Sequence, residues 1–226
     1  MPPPLRAVSL NIRLGLQRDR MDYVRIHALN PQPRLVTQVV ARVRAGGLIV
    51  YPTDSSYALG CHIGNKAALD RIQRLRNIDA RHNYTLMCRD LSEIATYAVV
   101  DNAAYRMLKA LTPAAYTFIL QASREVPRRL QNPKRRTIGI RVPDQPIAQA
   151  LLDSLGEPLM TSTLLLPGDD LPLTDPAEIS DRIGNQVDMI IDGGHCGYEM
   201  TTVVDLTGAA PVVVRVGKGD PAVFHQ

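Results

Sequence analysis

The chain has 226 residues, of which 45% are hydrophobic and 21% charged, and its formal net charge is +4. This is the size and composition of one ordinary globular domain, able to bury a core without disulfide or metal staples, and it excludes a mostly disordered chain. No run approaches the roughly 18 apolar residues of a membrane-spanning helix.

Residues 1–20 carry Arg6, Arg13, Arg18 and Arg20 against Asp19, a net +3, while the other 206 residues carry 22 basic and 21 acidic side chains, a net +1. The body is therefore nearly neutral. The first twenty residues have no apolar stretch with a small-residue cleavage site, so secretion is not expected. Met21 opens a different texture, and 1–20 reads as an accessory or misassigned extension ahead of a domain over 21–226.

Asn30-Pro31 marks a helix start, and Leu35, Val36, Val39, Val40 and Val43 recur at helical spacing until Gly46-Gly47. Leu48–Tyr51 suits a buried strand ended by Pro52. A polar loop follows at Thr53–Tyr57, then a helix over 65–76, a strand over 85–88, and helices over 92–98 and 101–111. Strands are predicted over 116–121 and 137–142, the second with apolar alternation. A helix over 146–155 closed by Gly156 precedes a strand over 159–166. A helix near 176–183 and strands over 188–191, 201–206 and 211–216 complete the chain. Strands and helices mix without strict alternation, which predicts an α/β fold with a twisted mixed sheet flanked by helices.

Several segments carry chemistry. The loop Thr53-Asp54-Ser55-Ser56-Tyr57 places hydroxyls and a carboxylate just after a strand, where open α/β sheets bind ligands; a polar turn is the competing account. Arg71, Arg74, Arg76, Arg81, His82 and Arg89 form a cationic stretch that suits phosphate or carboxylate, or else a solvated helix face. Seven cations lie between Arg124 and Arg141: Arg124, Arg128, Arg129, Lys134, Arg135, Arg136 and Arg141, against Glu125 alone. Phosphate oxygens are their natural partner, and with no Trp and two Phe, duplex backbone is favoured over stacked single strands. A solvated basic loop is equally consistent. Met160–Gly168 contains three consecutive hydroxyl residues at a strand end. Cys61, Cys88 and Cys196 have no CxxC spacing and read as partly buried free thiols in a reducing cytoplasm. No P-loop, GxGxxG, HExxH or metal-ligand cluster is present.

Taken in order, Tyr51-Pro52-Thr53-Asp54 with Tyr57 and Leu59-Gly60, Arg76–Leu86, Tyr116-Thr117-Phe118, Gly139-Ile140-Arg141-Val142-Pro143, Met160–Gly168, Thr201–Asp205 and Arg215-Val216-Gly217 resemble the YrdC/YciO family, most closely its YciO branch. The resemblance runs from about residue 21 to the end. It implies a YrdC-like single domain with a positively charged concave face. It also implies formation of threonylcarbamoyl-adenylate and pyrophosphate from L-threonine, bicarbonate and ATP, which feeds the N6-threonylcarbamoyl modification of adenosine in tRNA. Double-stranded RNA binding is associated with the same fold. Carried over position by position, Thr53, Asp54, Tyr57 and Thr201 bind the amino-acid substrate, and Thr117, Arg141, Thr161, Thr163, Thr174 and Arg215 bind nucleotide. Arg76 and His82 are the catalytic cations, and Mg2+ neutralises the leaving pyrophosphate. The synthase branch has Lys-x-Arg where this chain reads Arg76-Asn77-Ile78, and Ser-x-Asn where it reads Thr163-Leu164-Leu165; a further lysine corresponds to His82. Loss of one such donor typically costs ~2.7–4 kcal/mol of barrier, so a weak or altered synthase is expected. The alternative is a double-stranded RNA- or nucleotide-binding protein without turnover, with Arg124, Arg128, Arg129, Lys134, Arg135 and Arg136 on the RNA. A hydrolase of the adenylate ranks last, because no Ser–His or metal-ligand signature supports it.

Overall fold

The computed structural model describes residues 21–79 and 82–224. Strand β1 (Asp22–Arg25) leads to helix α1 (Pro33–Arg44), strands β2 (Ile49–Tyr51) and β3 (Ala58–His62), helix α2 (Lys66–Arg76), strand β4 (Thr85–Met87) and helix α3 (Leu91–Tyr97). Strand β5 (Ala98–Val99), helix α4 (Asn102–Leu111) and strands β6 (Tyr116–Ala122) and β7 (Thr137–Arg141) follow. Helix α5 (Pro146–Leu155), strand β8 (Leu159–Thr163), helix α6 (Pro176–Ile183) and strands β9 (Met189–Asp192), β10 (Thr202–Asp205) and β11 (Val212–Arg215) complete the described chain. The strands join in one mixed sheet of order β1-β9-β2-β3-β8-β4-β7-β6-β10-β11, with β5 paired to β6. The predicted twisted mixed sheet with flanking helices is therefore the fold. No helix among the described residues is long and apolar enough to cross a membrane.

Two predicted boundaries differ for identifiable reasons. Helix α1 starts at Pro33, not at Asn30-Pro31, because the residue before a proline is pushed out of the helical region, so Gln32 stays extended and Pro33 becomes the first turn. Strand β8 stops at Thr163 rather than Leu166. Leu164 and Leu166 are apolar because they are buried, not because they pair in the ladder. The short strands β1, β3 and β5 were not predicted. In β3, Ala-Leu-Gly-Cys-His has poor strand propensity, but a side chain at Gly60 would sit 2.7 Å from the Tyr51 ring. Close packing of Tyr51 across the strand requires glycine there.

The strands are buried unequally on their two faces. Even-numbered residues such as Val50, Leu86, Phe118, Leu120, Ile138, Ile140, Met160 and Val204 belong to one core, with Leu69 and Ile72 of α2, Leu108 of α4 and Ile179 of α6. The other face forms a second, smaller core only in part: Ile49, Tyr51, Met87, Leu159 and Ile191 pack under Val36, Val40 and Val43 of α1 and Leu151 and Leu152 of α5. The helices stop there, and the rest of that face is open. Cys61 and Cys88 are buried and Cys196 half-buried, all as free thiols. Burial pushes Cys61 up to about 12 and Cys196 up to about 11, so neither is a ready thiolate near neutral pH.

Candidate active site

Successive strand side chains alternate between faces, and the register fixes which residues share the open one. Thr161 of β8 stands opposite Thr85 of β4, Thr85 opposite Gly139 of β7, and Gly139 opposite Ile119 of β6. Thr117 lies opposite Val203 of β10. Here the odd positions are Thr, Gly and Arg instead of Leu and Met, and together they floor a cavity of about 520 Å³, within the range of small-molecule sites. Gly139 keeps the floor low, since a Cβ there would lie 2.7 Å from the Thr85 hydroxyl.

The lining is cationic. Arg76, His82, Arg135, Arg141 and Arg215 reach it, and among the described residues no Asp or Glu does. Arg76 is the last residue of α2, a helix on the opposite face. Asn77, in the left-handed conformation at φ 49°, ends that helix, and Arg76 donates to the Ser162 hydroxyl and to the Leu165 carbonyl at 3.3 Å. Burial, then the Arg215 cation, lowers its pKa. Arg215 donates through Nε and Nη2 to the Thr201 carbonyl at 3.2 and 2.9 Å; burial and then Arg141 lower its pKa as well. Three guanidinium groups around a cavity whose described lining includes no carboxylate make a site for an anion.

Arg141 is held from the loop after β2. Its Nη2 pairs with the Asp54 carboxylate and donates to Ser55 Oγ at 3.0 Å and Thr53 Oγ1 at 3.3 Å. Its buried Nε has no hydrogen-bond partner, an orphaned donor of the kind a bound anion satisfies. The loop is rigidified by Thr53, whose hydroxyl donates to the Ser56 carbonyl at 2.6 Å and accepts from the Ser55 and Ser56 N–H groups at 3.2 Å. Thr117 and Thr201 meet hydroxyl to hydroxyl at 2.8 Å.

The structure thus brings Arg76, His82, Thr117, Arg141, Thr161, Thr163, Thr201 and Arg215 to one cavity, with Thr53 and Asp54 behind Arg141. It does not bring Tyr57 or Thr174 to the lining. Tyr57 is buried, donating to the Gly194 carbonyl at 2.7 Å and accepting from the Gly193 N–H at 3.2 Å. Thr174 is half-buried, its carbonyl accepting from the Cys196 N–H. Of the cationic stretch, Arg71 is paired to Asp188 at 2.6 Å and Arg89 to Asp90 at 2.9 Å; Arg74 caps a carbonyl of its own helix. Arg81 and residues 1–20 lie outside the described residues. Of the predicted RNA residues, Arg124, Arg128, Arg129, Lys134 and Arg136 are exposed and do not line the cavity. Arg135 does.

A family-level sequence profile for Sua5, YciO and YrdC proteins, described as telomere recombination, matches residues 41–217. YciO of Escherichia coli K12, an uncharacterised protein, is 58% identical over 199 residues, 88% of this chain and 97% of that one. The chain belongs to the Sua5/YciO/YrdC family. The crystal structure of E. coli YciO superposes with a TM-score of 0.87 at 57% identity, covering 90% of this chain and 99% of that one. The threonylcarbamoyl-AMP synthase of Halorhodospira halophila is 29% identical over 174 residues, 76% of this chain and 90% of its own. P. abyssi Sua5, in a complex with L-threonine, shares the fold at TM-score 0.79 and 23% identity, over 86% of this chain and 57% of that one.

Residues not carried over individually from the family motifs also reach the site. Ser162 anchors Arg76, and the Tyr51 hydroxyl donates to Thr161 Oγ1 at 2.8 Å; burial pushes that phenol up to about 12, so it stays a donor. Thr85 and Thr137 extend the hydroxyl floor. Among the described residues no cluster of three His, Cys, Asp or Glu side chains is placed to hold a metal ion.

His82 gives a pH prediction. Burial, then the Arg76 cation, lowers its pKa. A histidine depressed in the fold resists protonation there, while the unfolded chain takes a proton near its ordinary value of about 6.5. Its contribution therefore leaves stability untouched above that value and reduces it as pH falls through it. The imidazole NMR titration is expected to have its midpoint below 6.5. A midpoint above 6.5 in the free protein would contradict this placement.

Proposed function

We propose that this chain is a threonylcarbamoyl-AMP synthase of the YciO type, joining L-threonine, bicarbonate and ATP to give threonylcarbamoyl-adenylate, pyrophosphate and water for tRNA modification. The observation that carries the reading is the convergence of Arg76, Arg141 and Arg215 on a hydroxyl-floored cavity with no acidic residue among its described lining. In the adenylating step the carbamate oxygen of N-carboxythreonine bonds to the α-phosphorus, and the bond from that phosphorus to the pyrophosphate oxygen breaks. Charge accumulates on phosphate oxygens, and preorganised guanidinium and hydroxyl donors are the groups that stabilise it. Arg76 and Arg215 face those oxygens in this assignment, Thr117 and Thr201 donate from the floor, and Arg141 supplies its unpartnered Nε. Thr53 and Asp54 hold Arg141 at the wall on the amino-acid side.

The departures from the synthase motifs predict a slow enzyme. Ile78 packs against the main core, so the position corresponding to a second cation contributes packing instead; Leu165, at the position corresponding to the amide, is half-buried and offers no side-chain donor, only its carbonyl to Arg76. Incubating the full chain with ATP, magnesium, threonine and bicarbonate and measuring the adenylate by mass spectrometry tests the reading. Product is expected; its absence from protein that still binds ATP overturns the synthase assignment. A second ligand is favoured by the five cations outside the cavity, Arg124, Arg128, Arg129, Lys134 and Arg136, all exposed in the segment between β6 and β7. They suit duplex RNA backbone, whose binding would weaken steeply with salt; a salt-insensitive association would exclude it.

A further inference from the structure

The basic run does not act as one surface. Its turn is built on Asn132, whose Oδ1 accepts from the N–H groups of Lys134 and Arg135 at 3.1 and 2.9 Å. Gln121 donates to the carbonyls of Arg135 and Arg136. Only one cation of the turn then enters the cavity. The Arg135 guanidinium is bracketed by Asp205 Oδ2 at 2.8 Å and by Thr207 Oγ1 at 2.5 Å, and Thr207 returns two hydrogen bonds to Asp205 Oδ1 at 2.9 and 2.6 Å. Burial alone would raise the Asp205 carboxyl; the hydrogen bonds from Arg135 and Thr207 hold it below the usual range. The bracket is therefore charged and intact at neutral pH.

Its place is informative. Asp205 ends β10, and Thr201, which takes Arg215, immediately precedes it. Four residues of strand separate these two anchors by about 13 Å, a span over which one phosphate cannot touch both. A guanidinium has five donors, and the bracket uses two.

We propose that Arg135 is a ligand-binding residue of the cavity, positioned by Asp205 to take the outer phosphates of a nucleoside polyphosphate while the arginines at the other end hold the rest. This rests on the nucleotide reading above and adds to it a residue that selects for phosphate-chain length.

Calorimetric titration of the full chain with ATP and with AMP, each with magnesium, tests it. Arg135→Ala is expected to weaken ATP by about 10- to 100-fold, the size of one hydrogen bond to a charged group, and AMP by less than about 2-fold. Asp205→Asn, which frees the arginine without removing it, should lose part of the same preference. Arg106→Ala, removing an exposed cation from α4 on the other face, controls for net charge and should change neither. Equal losses for ATP and AMP, or none, with the thermal midpoint unchanged, would overturn the role of Arg135 and leave the nucleotide site standing. If Arg135→Ala fails to fold, Arg135→Lys must show the same ATP-selective loss in smaller degree. Wild-type protein that binds neither nucleotide removes both readings.

Discussion

Arg76→Ala is expected to lower threonylcarbamoyl-adenylate formation by about 100- to 1000-fold, the typical loss when one preorganised donor to a developing oxyanion is removed. The fold should survive. Arg76 is half-buried at the end of α2, donating to the Ser162 hydroxyl and the Leu165 carbonyl, and it and Ser162 line a cavity that water enters. Its charge opposes that of Arg215, so its removal relieves a repulsion as well as deleting two hydrogen bonds. Arg76→Lys keeps the charge but not the planar fork that reaches both Ser162 and Leu165, and should fall between the two. Rates at saturating ATP, read with the thermal midpoint, separate a catalytic loss from misfolding. An alanine variant with the full rate would remove Arg76 from the chemistry.

Much of this architecture was legible in the sequence because burial writes itself as periodicity. Helix α5 runs from Pro146 to Leu155 and α6 from Pro176 to Ile183, as their proline starts and apolar spacing predict. Strand β7 shows the same thing at the site: Thr137, Gly139 and Arg141 alternate with Ile138 and Ile140, so the open polar face is written beside the buried one. The same alternation in β6 and β8 places Thr117, Thr161 and Thr163, and reading it across strands would have found Thr85. What the sequence could not carry was long-range. Nothing local says that Arg71 meets Asp188, 117 residues on, or that Arg76, five residues further along the same helix, meets Ser162. Arg135 was indistinguishable from Lys134 and Arg136 until β10 brought Asp205 beside it. Tyr57 stands in a quoted motif and Thr174 was carried over with the nucleotide set, but neither lines the cavity.

Asp54→Ala is expected to cost about 3–5 kcal/mol of stability, because it leaves a buried guanidinium without its counter-charge. Arg141 is 6% exposed, with Asp54 as its ion-pair partner and Thr53 and Ser55 supplying neutral acceptors. At roughly 2–4 °C per kcal/mol for a chain of this size, the thermal midpoint should fall by about 6–20 °C. The loss belongs to the stranded charge, not to the pair, so replacing both residues should be milder than replacing Asp54 alone. Arg141→Met with Asp54→Ala is therefore expected to recover part of the midpoint while nucleotide binding is lost. The single Asp54→Ala variant should behave in the opposite way: an anion in the cavity supplies the missing charge, so ATP should raise its midpoint more than it raises that of the wild type. A fall of less than about 2 °C, or equal stabilisation by ATP in both proteins, would mean that Asp54 does not hold Arg141 for the ligand.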